Sequence, residues 1–359
     1  MRLLRVTALL SLVLISLPAL ADGGANHQVK QTPPVKMGTS GGSSADASRF
    51  FCCGGTLGSL VMYDGVLSIL SNNHILARSG SATAGEDDIQ PGLIDLGCNA
   101  ANANIVGDFA GNKVPLGTAN VDTAISTARA GMVDATGAII DIGVPCSSPT
   151  TPTIGLGVTK SGRTTGQTTG SIQSLNTSVS IQYQKGCNSG KKFTETYTNQ
   201  LVISGSGSFS AGGDSGSLIV TTGTPHPVGL LFAGNSTQTI ANPIQSVINA
   251  YTAGGHTFTF VGNNCLASSA EAGGLGKIGP LPADIEFATT IKERYEPELF
   301  ARPGVIGVGV GLDETDASRA AIIVYTTAGA GSHMQPGGFP AEMDGVKVRV
   351  IPTEPFVAQ

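Results

Sequence analysis

From about residue 50 to residue 265 the chain repeats one pattern, short runs of β-forming residues broken by Gly, Asn, Asp and Thr. Residues 57–62, 66–70, 138–142, 155–159, 179–183, 200–203, 218–220 and 228–232 are the clearest runs. Helical periodicity is almost absent across this span. Strands at such density, with turns that need positive φ, predict a mainly β fold, a barrel or a sandwich. Composition agrees, since 50 glycines, no tryptophan and only 13% charged residues suit a turn-rich β chain.

The two ends differ from this middle. Residues 1–21 read as a secretory signal, with Arg2 and Arg5 at the start, an apolar stretch from Leu9 to Leu17, and Ala19-Leu20-Ala21 as the small-x-small site. The apolar stretch is shorter than the roughly 20 residues of a membrane-spanning helix. We therefore expect a secreted or periplasmic protein with no stable membrane insertion. Residues 22–48 are polar and aperiodic and read as a flexible leader or propeptide, and residues 266–283 as a linker.

Residues 284–359 read as a small α+β module. Phe287, Ile291, Tyr295 and Leu299 recur every four residues on a helix that Pro297 is expected to kink or restart. Residues 305–312 alternate apolar residues with glycine. Ile306, Val308, Val310 and Leu312 fall on one face, and the bare face is expected to lie under the helix. Residues 321–325 and 346–351 read as further strands. The glycines lack G-x-G-x-x-G spacing and a following Lys-Ser/Thr, which argues against a nucleotide-binding reading.

Formal net charge is −5, more negative once Arg2 and Arg5 leave with the signal. That argues against nucleic acid or an anionic membrane as partner. Cys52, Cys53, Cys98, Cys146, Cys187 and Cys265 fit no zinc spacing, and export favours disulfides. Adjacent Cys52 and Cys53 are expected to have different partners, one of them Cys98. No cofactor or metal is indicated; Glu86-Asp87-Asp88 reads as a solvated turn rather than a calcium site.

Chemistry concentrates in Gly212-Gly213-Asp214-Ser215-Gly216-Ser217. A serine between glycines on a tight turn lets a carbonyl approach the hydroxyl while backbone N–H groups converge on the developing oxyanion. A hydroxyl needs a base. Of five histidines, His74 closes a strand that runs into the polar turn Ser71-Asn72-Asn73, where a general base belongs. The base needs an orienting acid. Asp122, inside Val121-Asp122-Thr123-Ala124-Ile125, is expected to be buried and in need of a partner, and is preferred over Asp108, Asp134 and Asp141.

In the order His74, Asp122, Ser215 these segments resemble the trypsin-like (chymotrypsin-fold) serine proteases over about residues 50–250. Residues 160–166 and 229–234 are similar to a bacterial branch of that family that also resembles the plant narrow-leaf proteins. The chain departs from the family at Ser217, where a glycine is usual, and in lacking a cysteine beside the histidine. The resemblance implies two antiparallel six-stranded barrels over residues 49–265. It implies Ser215 as nucleophile, His74 as base and acid, Asp122 as orienting group, and Gly213 and Ser215 N–H as oxyanion donors. It further implies Phe232, Ala233 and Gly234 as the strand that pairs with an extended protein or peptide substrate, and Phe209 at the floor of the side-chain pocket. No acid lies between Gln200 and Ala211, so a small or medium apolar side chain is expected before the cleaved bond. No apolar-apolar-Gly-Gly start precedes the domain, so an active form without terminal insertion is expected. The alternative is a catalytically silent peptide-binding or surface protein on the same fold. An α/β-hydrolase is opposed by the chain order and by the missing final glycine of Gly-x-Ser-x-Gly.

Overall fold

The computed structural model describes residues 25–265, 279–327 and 338–359. The expected signal, most of the expected linker and His333 lie outside these residues. The described chain is mainly β and builds two sheets. The first runs in the order Phe258–Phe260, Ser59–Tyr63, Val66–Ser71, Ala124–Ala128, Asn104–Lys113, Asp87–Gln90, Thr39–Ser43 and Gly55–Leu57. Its inward residues, among them Leu60, Ile69, Val106, Phe109 and Ile125, form one core cluster.

In the second sheet, six strands form a ring: Lys192–Gly205, Thr239–Pro243, Pro227–Gly234, Leu218–Thr221, Gly157–Gly162 and Gly166–Gln184, which returns to pair with Lys192–Gly205. The first sheet is a half-barrel, its end strand Gly55–Leu57 leading through Gly58 directly into Ser59–Tyr63, so a pair of regular six-stranded barrels is not established.

Residues 25–48 are packed, contrary to the expected flexible leader. Val35 and Met37 are fully buried and bridge to Val133 and Ile139. His27 is buried between the Gly38 carbonyl (2.6 Å) and Asp141 (3.0 Å). Two apolar residues in a polar stretch carry no periodicity, yet their burial fixes the segment.

The tail joins the second sheet. Val305–Leu312 pairs with Gly166–Gln184, then with Ala320–Thr327, which runs parallel to Val346–Thr353. A register shift between Val305 and Gly307 turns Ile306 to the opposite face from Val308 and Val310, which corrects the expected single apolar face. The glycines do not lie under the helix. Gly309 abuts Thr177 and Gly307 abuts Val179, so the missing side chains admit the neighbouring strand. The helix Pro282–Phe300 packs instead on Val308, Val310 and Ile322 through Ala288, Ile291 and Leu299. It runs through Pro297 without a restart, and Phe287 is half exposed.

Disulfides join Cys52 with Cys98, Cys53 with Cys187, and Cys146 with Cys265. Three disulfides fit an extracellular or otherwise non-cytoplasmic protein. Among the described residues no helix is long and apolar enough to cross a membrane.

Candidate functional site

The strand Val66–Ser71 ends at Asn72, and one helical turn, Asn73–Leu76, carries His74 to the rim of a cleft between the sheets. Asn72 and Asn73, both fully buried, pin that turn by donating to the Asp122 carbonyl (2.7 Å) and the Val114 carbonyl (2.7 Å). Asp122 is also fully buried. Its Oδ2 accepts from His74 Nδ1 at 2.6 Å and from the Tyr183 hydroxyl at 2.9 Å, and its Oδ1 accepts from the His74 amide at 3.2 Å. Three donors offset the cost of burying a carboxylate. The Asp122 amide donates to Asn242, whose side chain donates to Gln200.

Burial works against a charge on His74. The Asp122 charge and hydrogen bond, the Gln359 carbonyl and the Asp46 charge together outweigh it and hold the imidazole above its ordinary pKa. Tyr183, buried and beside Asp122, is raised well above the usual phenol range, so it stays a donor. Its hydroxyl lies 2.9 Å from that of Tyr197.

The rival acids are engaged elsewhere. Asp108 holds Arg129, Asp134 caps its own turn at Thr136, and Asp141 faces His27. Glu86 pairs with Arg78, Asp87 with Arg129, and Asp88 turns inward to Ser126.

Ser215 lies on the turn that enters Leu218–Thr221. Gly213 and Gly216 have φ of +99° and +94°, and a Cβ on Gly216 would lie 2.2 Å from the Thr56 carbonyl. Asp214 is buried beneath this turn. It accepts from the Ala211, Thr164 and Thr165 amides and the Thr165 hydroxyl, with buried Lys160 3.5 Å away. Burial, only partly opposed by Asp214, lowers the Lys160 pKa. Among the described residues neither the Gly213 nor the Ser215 amide has a protein acceptor. The Ser215 hydroxyl is turned away from the histidine and donates to the Phe232 carbonyl at 2.9 Å.

Phe232, Ala233 and Gly234 form the end of a fully buried strand, with the Phe232 ring against Tyr197. Phe209 is packed among Val158, Ile172 and Leu231 and does not line the open cleft, because its ring turns into the core of the second sheet. The cleft encloses about 530 Å³ between His74, Arg78, Arg163, Gly213, Cys187 and residues 357–359.

Three features lay outside the sequence reading. Tyr183 ends a run recognised only as a strand, and its partner Tyr197 lay outside the recognised runs, within the strand Lys192–Gly205. The bidentate pair of Arg163 with Asp95 walls one side of the cleft. The segment 356–359 enters the site from the tail; a final short apolar run, Phe356-Val357-Ala358, was its one signal.

The family model described as the Nal1 C-terminal domain matches residues 105–252, a span with Asp122 and Ser215 but without His74. No curated protein matches the chain. Among solved structures, a glutamic acid-specific serine protease is 18% identical, with a TM-score of 0.42 over 63% of this chain and 100% of its own. An α-lytic protease homologue, N4, is 18% identical, with a TM-score of 0.41 over 63% and 98%. A chymotrypsin of Cellulomonas bogoriensis is 19% identical, with a TM-score of 0.39 over 64% and 99%.

Proposed function

We propose that the chain is an exported serine endopeptidase that cleaves protein or peptide substrates through an acyl-enzyme. The observation that carries this reading is the buried Asp122 locked to His74 Nδ1, leaving Nε2 facing the cleft beside the Ser215 turn. Ser215 swings from the Phe232 carbonyl to His74 Nε2, a rotation between staggered wells. The neutral imidazole takes the hydroxyl proton as the oxygen attacks the peptide carbonyl. The amides of Gly213 and Ser215 hold the oxyanion, each worth about 3–4 kcal/mol of barrier. His74 then protonates the leaving amine, and water repeats the sequence to release the acid. Asp122 fixes the tautomer and stabilises the imidazolium.

In this reading the signal is residues 1–21, the peptidase spans 49–265 and the appended module is 284–359, whose strands extend the second sheet. A small or medium apolar side chain precedes the cleaved bond. Kinship with the plant narrow-leaf proteins belongs to the same proposal. The test is fluorophosphonate labelling of the purified chain beside Ser215→Ala and His74→Ala. Stoichiometric labelling lost in both supports the reading, and no labelling in any folded, unblocked form rejects it.

The rotated Ser215 and the filled substrate strand favour a second reading, a silent peptide-binding protein. Binding of extended peptides with no labelling under any condition selects it.

A further inference from the structure

Residues 356–358 form a strand that adds antiparallel to Pro227–Gly234, with Val357 opposite Gly234 and Ala358 opposite Ala233, and parallel to Gly166–Gln184 on its other side. The Gln359 amide donates to the Phe232 carbonyl at 3.3 Å, the same oxygen that accepts from Ser215. The Gln359 main-chain oxygen stands 3.2 Å from His74 Nε2. Its side chain lies over Gly234, where a Cβ would come within 2.6 Å of Nε2 of the amide.

From this geometry we infer that residues 357–359 are a cis-acting peptide ligand of the candidate cleft. They occupy its strand edge and display the class of peptide it accepts, an extended segment with an uncharged side chain of glutamine length over Gly234 and its main-chain oxygen at His74. The inference rests on reading the cleft as a peptide site, as proposed above.

Three contacts block the chemistry at once. The segment covers the strand edge that a substrate would use. It leaves Ser215 on the Phe232 carbonyl. It also places acceptors at both ring nitrogens of His74, and a neutral imidazole has only one N–H, so only the imidazolium satisfies both. An imidazolium cannot take the serine proton.

The segment has a fixed base and a loose tip. Phe356 is 1% exposed and meets Tyr325 edge-on, while Asn235 holds Thr353 and Glu354 at 2.8 Å each. Val357, by contrast, is 42% exposed. Gln359 Oε1 is buried and, among the described residues, has no donor. An unpaired buried oxygen weakens the hold, so Met or Leu fits the same seat at least as well, and Glu would bury an unpaired charge there.

A tip tethered at Phe356 competes with free peptides at an effective concentration of about millimolar or more. The experiment compares the whole chain with a Val357→Pro, Gln359→Pro double variant and with the milder Gln359→Gly. Each is first checked for unchanged thermal melting. Two readouts are taken: the rate of fluorophosphonate labelling, and anisotropy of a fluorescent peptide bearing Phe-Val-Ala-Gln, with Met and Glu versions in the last position.

The expected result is labelling faster by about tenfold or more in the double variant, less in Gln359→Gly, with peptide binding at least about tenfold tighter than to the whole chain. The Met version should bind at least as well as Gln, and Glu about tenfold more weakly. Equal labelling and equal peptide affinity in the whole chain and the variants would overturn the cis ligand while leaving the peptidase reading intact. Peptide binding unmasked in the variants, with no labelling anywhere, would uphold the cis ligand and reject the peptidase. Faster labelling without peptide binding, or a preference for Glu, would overturn the assigned ligand class.

Discussion

The two flanks of the His74 imidazole are built in different ways. On the Asp122 side the carboxylate is buried and paired: Asp122 accepts three hydrogen bonds, and Tyr183, Tyr197, Asn242 and Gln200 back it in a continuous network. On the Nε2 side the histidine meets a four-residue tail segment whose middle is exposed, and beyond it an open cleft. A buried network that is fully satisfied is rigid, whereas a strand edge held by a few backbone bonds opens at small cost. The orienting half of the site is therefore expected to be the more rigid, and the half where substrate and tail compete the more easily changed.

The largest effects are expected on the fixed side. Asp122→Asn keeps the shape but disfavours the tautomer that leaves Nε2 free, so labelling of an unblocked chain should slow about 10³–10⁴-fold. A loss below tenfold would show that Asp122 does not orient the base. Tyr183→Phe keeps the ring and removes one of three donors to a buried carboxylate, with an expected stability loss of about 1–3 kcal/mol by chemical denaturation. Phe356→Ala addresses the other side. Emptying a fully buried aromatic site should cost about 3–5 kcal/mol if the tail anchor belongs to the core. A cost near zero would mean that the whole segment, and not just its tip, leaves freely.

The fixed side was also the legible one. His74 at a strand end, Asp122 in a small apolar run and Ser215 between glycines are local patterns, each readable within about seven residues. The conformations they need follow from the residues themselves. The tail segment was not legible, because its meaning depends on pairing Phe356 with Ile181, far away along the chain. The same limit explains the glycine-rich strand Val305–Leu312. Alternation predicted a strand and a close neighbour, but the neighbour is another strand, and the shift at Ile306 lies in the pairing with Ala320–Thr327, remote from what alternation can read. The resemblance put Phe209 at the floor of a pocket, and a position along the chain cannot tell a ring in a pocket wall from one turned into the core. The packing of residues 25–48 rested on only two apolar side chains.

A further expectation concerns Asp88, away from the site but inside the sheet that carries His74. Burial, only partly opposed by Ser126, raises its pKa from 3.8 to about 8. A folded-state pKa above the unfolded one means that the folded chain binds this proton more tightly. Its contribution is complete below the ordinary carboxylate pKa and is lost as pH rises toward 8. Asp88→Asn removes that dependence. The difference in unfolding free energy between variant and parent should grow in favour of the variant from pH 4 to pH 8, by several kcal/mol, on the order of one per pH unit. A constant difference across this range would place a charged Asp88 in the fold.

The smallest effect is expected at Asp46, which faces the open cleft from beside the Cys53 amide and is raised from 3.8 to about 6 by burial, against the pull of Arg78 and His74. Its charge is one of the influences that hold the His74 imidazolium in place. Asp46→Asn removes that charge without touching Asp122, so His74 should lose its proton at lower pH. In a chain with the tail tip displaced, the acid limb of labelling against pH should shift downward while the plateau stays unchanged. In the intact chain the same limb should stand at higher pH, since the Gln359 carbonyl also favours the imidazolium. Acid limbs that stand at the same pH in the intact and displaced forms would mean that the tail does not bear on the histidine, and the two flanks would then differ in packing alone.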